Sequence, residues 1–426
     1  MVKKNNILII SSGAREHAVG WKLKQSPKVG KIYFSPGTVG TETVGESTGI
    51  AALDFDKLIK FAIKNKIDLT VAAPDDILAA GIVNAFQKKK LKIFGATKEA
   101  AQIESSKAFA KDLMTKENIP TAKYETFTNA QDAKKYLKKH QFPAVIKASG
   151  LALGKGVIIS PNLDHALKTI DEIMVKKIFG DAGNEIVIEE FLTGKEISIH
   201  VFSDGLTFSI FPTSRDHKPI FEGNRGPNTG GMGTIAPVPK ISKKDLDIIK
   251  TKIVEPALNG LKRRGTPFAG CLYPGLMMTK NGPKVIEFNS RFGDPEMESY
   301  MRLLKTDLFD ILNGCAEGSL SKIKVRWSKK SACCIVLASA NYPATSHKGD
   351  VIHGLEKFEN NKDIVVFHFA TKKENGRIVT NGGRVLGITA VGKTLNEALK
   401  KAYSAIGKNG IYFEGMQYRR DIGKIL

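Results

Sequence analysis

Cysteine is scarce in this 426-residue chain, and the four present form no motif. Cys271, Cys315, Cys333 and Cys334 show no Cys-x-x-Cys spacing, which reads as reduced thiols and excludes a metal cluster. The adjacent pair would point to opposite faces of a strand. Long apolar runs are missing too. No segment approaches the roughly 18 residues needed to cross a bilayer, and the apolar run at 7–10 stops after four residues at Ser-Ser-Gly, too short for a signal peptide. A cytoplasmic protein without a membrane partner is expected. Acidic residues are in deficit, 43 against 65 Lys and Arg, so the formal net charge is +22. That excess invites nucleic acid. The lysines, however, come as scattered pairs on amphipathic stretches, with Lys88 to Lys90 the longest run, and no RNA-binding aromatic signature accompanies them. They read as solvated helix faces, with no nucleic-acid partner, that would still draw small anions at low salt. Internal repeats and low-complexity tracts are absent.

What the chain does have is a set of polar motifs set into apolar strands. Residues 285–298 run Val-Ile-Glu-Phe-Asn-Ser-Arg-Phe-Gly-Asp-Pro-Glu-Met-Glu and deliver Glu287, Asn289 and Arg291 at a spacing of two, on one strand face. A carboxylate and an amide oxygen are hard ligands suited to Mg²⁺, which completes its shell with water and phosphate. An Arg beside them suits an anion. Taken singly, the pattern equally fits a polar edge strand running into a Gly-Asp-Pro turn. Upstream, an apolar run at 142–148 carries Lys147 and opens into Ser-Gly-Leu-Ala-Leu-Gly-Lys-Gly, with Gly150, Gly154, Lys155 and Gly156. Val157-Ile158-Ile159 follows, so this loop joins two strands; a P-loop would lead into a helix. It reads either as a phosphate-covering lid or as a glycine-rich hairpin with incidental lysines. A third run, 186–192, ends in Glu189, Glu190, Phe191 and Leu192, where free backbone groups could read an adenine edge. Glu196 beyond it could accept from ribose hydroxyls. Either acid could also be a solvated strand end.

The order Lys107, Lys147, glycine lid, Glu-Glu-Phe-Leu, Glu196, Glu-Phe-Asn-Ser-Arg resembles the ATP-grasp superfamily. Within it, Gly226-Pro-Asn-Thr-Gly-Gly-Met-Gly233, Asp216-His217-Lys218, Asn289 to Glu296, and Thr380-Asn-Gly-Gly-Arg-Val385 resemble the phosphoribosylamine-glycine ligases, or glycinamide ribonucleotide synthetases. The likeness runs from Arg15-Glu16-His17 to Arg420-Asp421-Ile422-Gly423. Four departures stand out. The family's Gly-x-Gly-Gly-Arg-Glu-His-Ala is here Ser11-Ser12-Gly13-Ala14-Arg15-Glu16-His17-Ala18, and its Pro-Glu pair is Pro74-Asp75-Asp76. Ser149 stands where many relatives have Asp, and the strand at 273–277 lacks the second carboxylate that many relatives offer a metal.

The resemblance implies ATP as a substrate, Mg²⁺ or Mn²⁺ on Glu287 and Asn289, and glycine and 5-phosphoribosylamine as the other substrates. It implies catalytic roles for Arg291 and Lys147. ATP would be held by Lys107, Lys147, Gly150, Gly154, Lys155, Gly156, Glu189, Glu190, Leu192 and Glu196. The remaining substrates would be held by Gly13, Arg15, Asp75, Asp216, Lys218, Asn228, Gly231, Arg291 and Asp294. His217 with Lys218 could contact phosphate. A monomer is expected. Two rival readings remain open, another ATP-grasp ligase or carboxylase of purine synthesis, and a basic nucleic-acid-binding protein that keeps the fold without the chemistry.

Periodicity divides the chain into an α/β and α+β multidomain protein. Residues 1–100 alternate strands and helices, as a parallel-sheet, biotin-carboxylase-like domain for substrate, with helices expected at 16–23, 55–65 and 77–87. A linking helix at 97–117 forms most of the 101–120 connection. Residues 121–192 make an ATP-grasp lid subdomain. Residues 193–325 make an ATP-grasp catalytic subdomain of antiparallel strands with one long helix at 243–262, and 326–426 a small C-terminal α/β domain. His200, His353 and His368 are expected in structural roles, and Met277, Met278 and Phe268 in the core.

Overall fold

The computed structural model describes residues 4–152 and 154–424; Leu153 of the glycine loop lies outside them. The first hundred residues build a parallel five-stranded sheet in the order Glu46–Ser47, Val29–Ser35, Asn5–Ile10, Leu69–Ala72, Ile93–Phe94. Asn5–Ile10 is central and buried on both faces. Ile7 and Ile9 enter one core while Leu8 and Ile10 enter another. The strand order reverses beside this strand, and in open α/β sheets ligands sit at the carboxyl ends of strands at such a point. Gly13 and Asp75 follow those ends.

Two expected helices are broken, each for a local reason. The run at 77–87 becomes Asp75–Ala80 and Ile82–Lys88, interrupted by Gly81 at φ +91°, a left-handed conformation that costs glycine nothing. The linking helix becomes Gln102–Ser105 and Lys107–Lys116. Ser106 between them is extended, and its Oγ accepts from Phe109 N at 3.1 Å, so it caps the second helix. This break swings Glu104 and Lys107 toward the same cleft.

The lid is a four-stranded antiparallel sheet ordered Tyr124–Phe127, Ile186–Glu190, Ala144–Ala148, Val157–Ser160. The glycine loop joins two paired strands, as its sequence requires. Helices Ala130–Leu137 and Leu163–Ile170 cover the sheet and close a hydrophobic core of its own, around Leu137, Ile146, Ile170 and Ile188. This core is separate from those of the other sheets.

A second antiparallel sheet carries Lys195–Ser198, Ala269–Thr279, Val201–Asp204 and Phe208–Ile210, with Gly282–Asn289 added beside Ala269–Thr279. The stretch 193–325 also holds the helices Glu296–Leu303 and Leu308–Glu317, which the strand-rich reading missed. The third sheet runs Arg215–Asp216, Gly233–Ala236, Ser331–Ala338, Arg384–Gly392, Ile364–His368, so it draws strands from both sides of residue 326. Cys333 faces the core of that sheet and Cys334 the core shared with the N-terminal domain, on opposite strand faces; all four cysteines are free and buried. Among the described residues no helix is long and apolar enough to cross a membrane.

Candidate active site

One cleft of about 360 Å³ opens where the lid meets the second sheet and the carboxyl edge of the N-terminal sheet. Its floor is the strand Gly282–Asn289. Pairing with Ala269–Thr279 shifts between Gly275 and Leu276, which leaves Ile286 without a partner residue. The freed carbonyl of Ile286 accepts from Lys147 Nζ at 2.9 Å. The bulge therefore fastens the lid's lysine to the floor.

Lys147 is buried, and its ammonium also pairs with Glu189 Oε1 at 2.9 Å. Lys111 reaches the same carboxylate oxygen at 3.1 Å and donates to Thr121 Oγ1 at 2.8 Å. Glu189 thus serves two lysines with its side chain. Burial pulls Lys111 down to about 8. Lys107 lines the cleft with its ammonium 3.4 Å from Gly150 O. The lid base is tied down by Ser149, whose Oγ accepts from Ala108 N at 3.2 Å and whose carbonyl accepts from Lys107 N at 2.9 Å.

Glu287 is the ionised centre of this wall. Burial pushes its carboxyl up, but Lys218, Lys147, Lys107 and Arg291 together hold it below the usual value. No hydrogen bond or ion pair engages its oxygens among the described residues. Asn289 donates from Nδ2 to Tyr273 O at 3.3 Å, which fixes the amide so that Oδ1 accepts from Arg291 at 3.1 Å. Among the described residues no cluster of three His, Cys, Asp or Glu side chains could hold a metal alone. A free ionised carboxylate beside an amide oxygen nevertheless fits a hard cation that keeps water and phosphate ligands.

Arg291 stands just beyond the strand. Burial opposes its charge, but Glu104 and Asp75 hold the guanidinium above its usual value. Nε lies 3.2 Å from Glu104 Oε1, and NH1 donates to Phe292 O at 3.2 Å. Glu104 also accepts from Ser290 N and Ser290 Oγ, each at 2.8 Å. It fixes the turn that aims Arg291.

On the opposite side Lys218 pairs with Glu196 Oε1 at 2.8 Å, and Glu196 holds Lys218 above its usual value. Asp216 has a buried Oδ1 without a hydrogen bond, and burial and then Glu296 raise its carboxyl well above normal. Glu296 accepts from Tyr273 OH at 2.8 Å and Ser198 Oγ at 3.0 Å. Asp294 pairs with Arg384 at 2.9 Å, and Arg384 also donates to Gly230 O at 2.8 Å.

Most of the expected site residues share this cleft: Asp75, Lys107, Lys147, Gly154, Gly156, Glu189, Glu190, Leu192, Glu196, Asp216, Lys218, Asn228, Glu287, Asn289, Arg291 and Asp294. The others act from behind or lie outside. Arg15 is buried, with Nε 2.7 Å from Glu16 Oε1 and NH1 donating to Phe292 O at 3.1 Å, so it braces the Arg291 turn. Gly13 N donates to the same Glu16 carboxylate at 2.8 Å. Gly231, at φ +115°, lets Asp216 close up, since a Cβ there would lie 2.5 Å from Asp216 Oδ1. Lys155 is exposed; within the cleft, Glu190 is engaged by Lys284 at 3.0 Å.

Three expectations need correction. His217 does not face a phosphate; its Nδ1–H donates to Gly233 O at 3.0 Å while Nε2 accepts from Gly423 N at 3.2 Å. Met277 lines the cleft and is not part of the core. His353 is exposed, and its backbone pairs with Tyr412. His200 and His368 hold structural roles, His200 accepting from Gly293 N at 3.1 Å and His368 meeting Thr371 Oγ1 at 2.9 Å. Sequence reading missed Glu104, Lys111, Tyr273, Glu296 and Arg384 as members of the site. Arg384 and Glu296 carried a signal, through the Thr-Asn-Gly-Gly-Arg-Val motif and the motif from Asn289 to Glu296.

Comparison with known proteins places this geometry in context. Residues 5–104, 105–297 and 332–425 match the N, ATP-grasp and C domain models of phosphoribosylglycinamide synthetase. The chain is 46% identical to the phosphoribosylamine–glycine ligase of Caldanaerobacter subterraneus subsp. tengcongensis, over 98% of this chain and 99% of that one. It is 44% identical to the ligase of Ralstonia nicotianae over 98% of each. The crystal structure of the Thermotoga maritima phosphoribosylamine–glycine ligase superposes with a TM-score of 0.86 at 32% identity, covering 98% of this chain and 100% of that one. The biotin carboxylase domain of Hydrogenobacter thermophilus 2-oxoglutarate carboxylase shares the fold, with a TM-score of 0.73 at 14% identity over 97% and 91% of the two chains.

Proposed function

Because the chain belongs to the phosphoribosylglycinamide synthetase family, we propose that its cleft ligates glycine to 5-phosphoribosylamine while ATP is cleaved to ADP and phosphate. It is a carbon–nitrogen ligase of purine synthesis. Glycine's carboxylate is a poor acyl donor, since an amine cannot expel oxide. Attack of a carboxylate oxygen on the γ-phosphorus releases ADP and gives glycyl phosphate. The amine then attacks the carbonyl carbon, phosphate departs and the amide of glycinamide ribonucleotide remains.

Phosphoryl transfer asks mainly for positioning and neutralised charge. Lys107 and Lys147 supply cations at the base of the lid, and the tie from Lys147 to Ile286 O keeps that charge fixed over the floor. Mg²⁺ or Mn²⁺, held by Glu287 and Asn289, would neutralise further phosphate charge. Arg291, aimed by Glu104, holds the glycine carboxylate and then the acyl phosphate. Lys218 and Asn228 face the cleft from the other side and take the remaining substrate anion, with Asp216 nearby for an ammonium or hydroxyl. The glycine loop covers the phosphates and keeps water from the acyl phosphate.

The observation that carries this reading is the convergence of Lys107, Lys147, Glu287, Asn289 and Arg291 in one cleft, from segments far apart in sequence. Phosphate release from Mg²⁺-ATP, with glycine and freshly generated phosphoribosylamine omitted in turn, tests it. Release that needs both, matched by equal glycinamide ribonucleotide, supports the ligase; turnover with neither dependence removes the assigned substrates.

A further inference from the structure

Among the described residues the two-stranded hairpin Pro219–Phe221 and Arg225–Asn228 belongs to no larger sheet. Its outer residues, 221–228, are exposed. Yet its two ends deliver Lys218 on one side and Asn228, Thr229 and Gly230 on the other into the cleft. An isolated hairpin of this size is marginal in water, so something outside it must fix its position.

The C-terminal segment does so. Arg419 is completely buried, although it is an arginine near the end of the chain. Its Nε and NH2 pair with Asp421 at 2.8 Å each, NH1 donates to Pro219 O at 3.0 Å, and NH2 donates to Asn224 Oδ1 at 2.9 Å. Asp421 Oδ2 accepts from Gly223 N at 2.8 Å, and Arg420 N donates to Glu222 Oε1 at 3.2 Å. Gly423 N donates to His217 Nε2 at 3.2 Å, beside Lys218. The segment is itself anchored, by Gln417 pairing in both directions with Ala338 at 2.9 Å and by Ile422 buried in the C-terminal core. A bidentate Arg–Asp pair whose guanidinium is fully buried, and which spends its other contacts on a solvent-exposed hairpin, is costly unless that hairpin must be held.

We infer that residues 417–423 form a strap that positions the substrate hairpin, with Arg419 and Asp421 as positioning residues for Lys218 and Asn228. The inference rests on the reading of those two side chains as substrate-binding. The strap explains the Arg-Asp-Ile-Gly motif, which touches no part of the cleft.

Two variants test it. Asn224→Gly removes one acceptor of Arg419 at an exposed position and keeps the left-handed turn, where Asn224 has φ +56°. Asp421→Asn weakens the Arg419–Asp421 pair itself. Hydrogen exchange of the hairpin's non-proline amides between 220 and 230 is expected to quicken by about tenfold in both, with the lid sheet unchanged. KM for glycine or for phosphoribosylamine is expected to rise about fivefold or more, with KM for ATP and kcat within about twofold. Unchanged exchange and unchanged KM values in both variants overturn the strap. Quicker exchange with every KM unchanged, or with KM for ATP rising equally, overturns its role in substrate positioning. Should the parent enzyme fail to join glycine to phosphoribosylamine, the activity reading falls, and the exchange comparison still decides the strap.

Discussion

Arg291 reaches Glu104, Asn289 and the Phe292 carbonyl at once, a fork that a lysine cannot reproduce. Arg291→Lys is expected to lower kcat/KM for glycine by about 100-fold, the scale of two charge-assisted hydrogen bonds. Dependence on ATP should stay within about twofold, and a glycine kcat/KM near that of the parent would refute the assignment. Ser11 presents a different residue-scale feature. Its φ is +90°, in the left-handed region that favours glycine, at a position where the family shows Gly. Ser11→Gly is therefore expected to stabilise the protein by about 1 kcal/mol in urea titration, the relief of strain exceeding the added entropy of the unfolded chain. Equal or lower stability would show that the conformation carries no strain. The sequence announced the substitution of glycine by serine there, but the sign of φ belongs to the folded backbone. Glu104 was invisible for a related reason. Its role depends on a partner 187 positions away in the chain, and nothing in Gln-Ile-Glu-Ser distinguishes it from a solvated helix acid.

At the scale of elements the glycine lid divides its labour. Gly150 is packed, with a Cβ there lying 2.7 Å from Ala182 Cα, and Gly156 is packed against Ala152. A Cβ on Gly154 would meet nothing within 4 Å among the described residues, and its φ is +73°. The three glycines are thus two close contacts and one uncrowded turn. Gly154→Pro forces φ near −65° in an uncrowded place. We expect kcat/KM for ATP to drop by at least about tenfold with Tm within about 2 °C of the parent. Parallel loss of Tm and turnover would argue for a structural turn instead of a lid. The strand–loop–strand reading was legible because apolar runs on both sides of the glycines leave no helix period. The break at Ser106 was not, since a short cap residue inside a helical pattern only becomes a stop when tertiary contacts draw the next helix aside.

For the whole molecule, four buried histidines set an acid limit. Burial holds His217 and His368 at about 4, and pushes His17 and His200 well below the usual 6.5. These folded values lie below the unfolded one, so the unfolded chain binds more protons between pH 6.5 and 4. Their contribution is complete above pH 6.5 and is lost as pH falls through that window. Burial raises Asp216 and Glu298, which act in the opposite sense from about pH 4 upward. One ring can be isolated by substitution. His368→Gln keeps a neutral side chain beside Thr371, and its loss of stability between pH 7 and 5 is expected to be smaller than the parent's by about 2 kcal/mol. Equal losses in urea titrations at the two pH values would contradict the burial argument. The +22 charge belongs to this scale too, as lysines dispersed over the surface of a small-molecule ligase. By itself the sequence determined the parallel N-terminal sheet, the two strands joined by the glycine loop and the strand that carries Glu287 and Asn289, because alternation and glycine spacing are local and survive without knowledge of partners. Only the tertiary structure decided that Lys111 and Lys147 share Glu189, that Arg15 braces a turn, that His217 points inward and that the C-terminus straps a hairpin two hundred residues upstream. Those facts are pairings between distant segments, and a side chain's role there is set by which groups folding brings within hydrogen-bond reach.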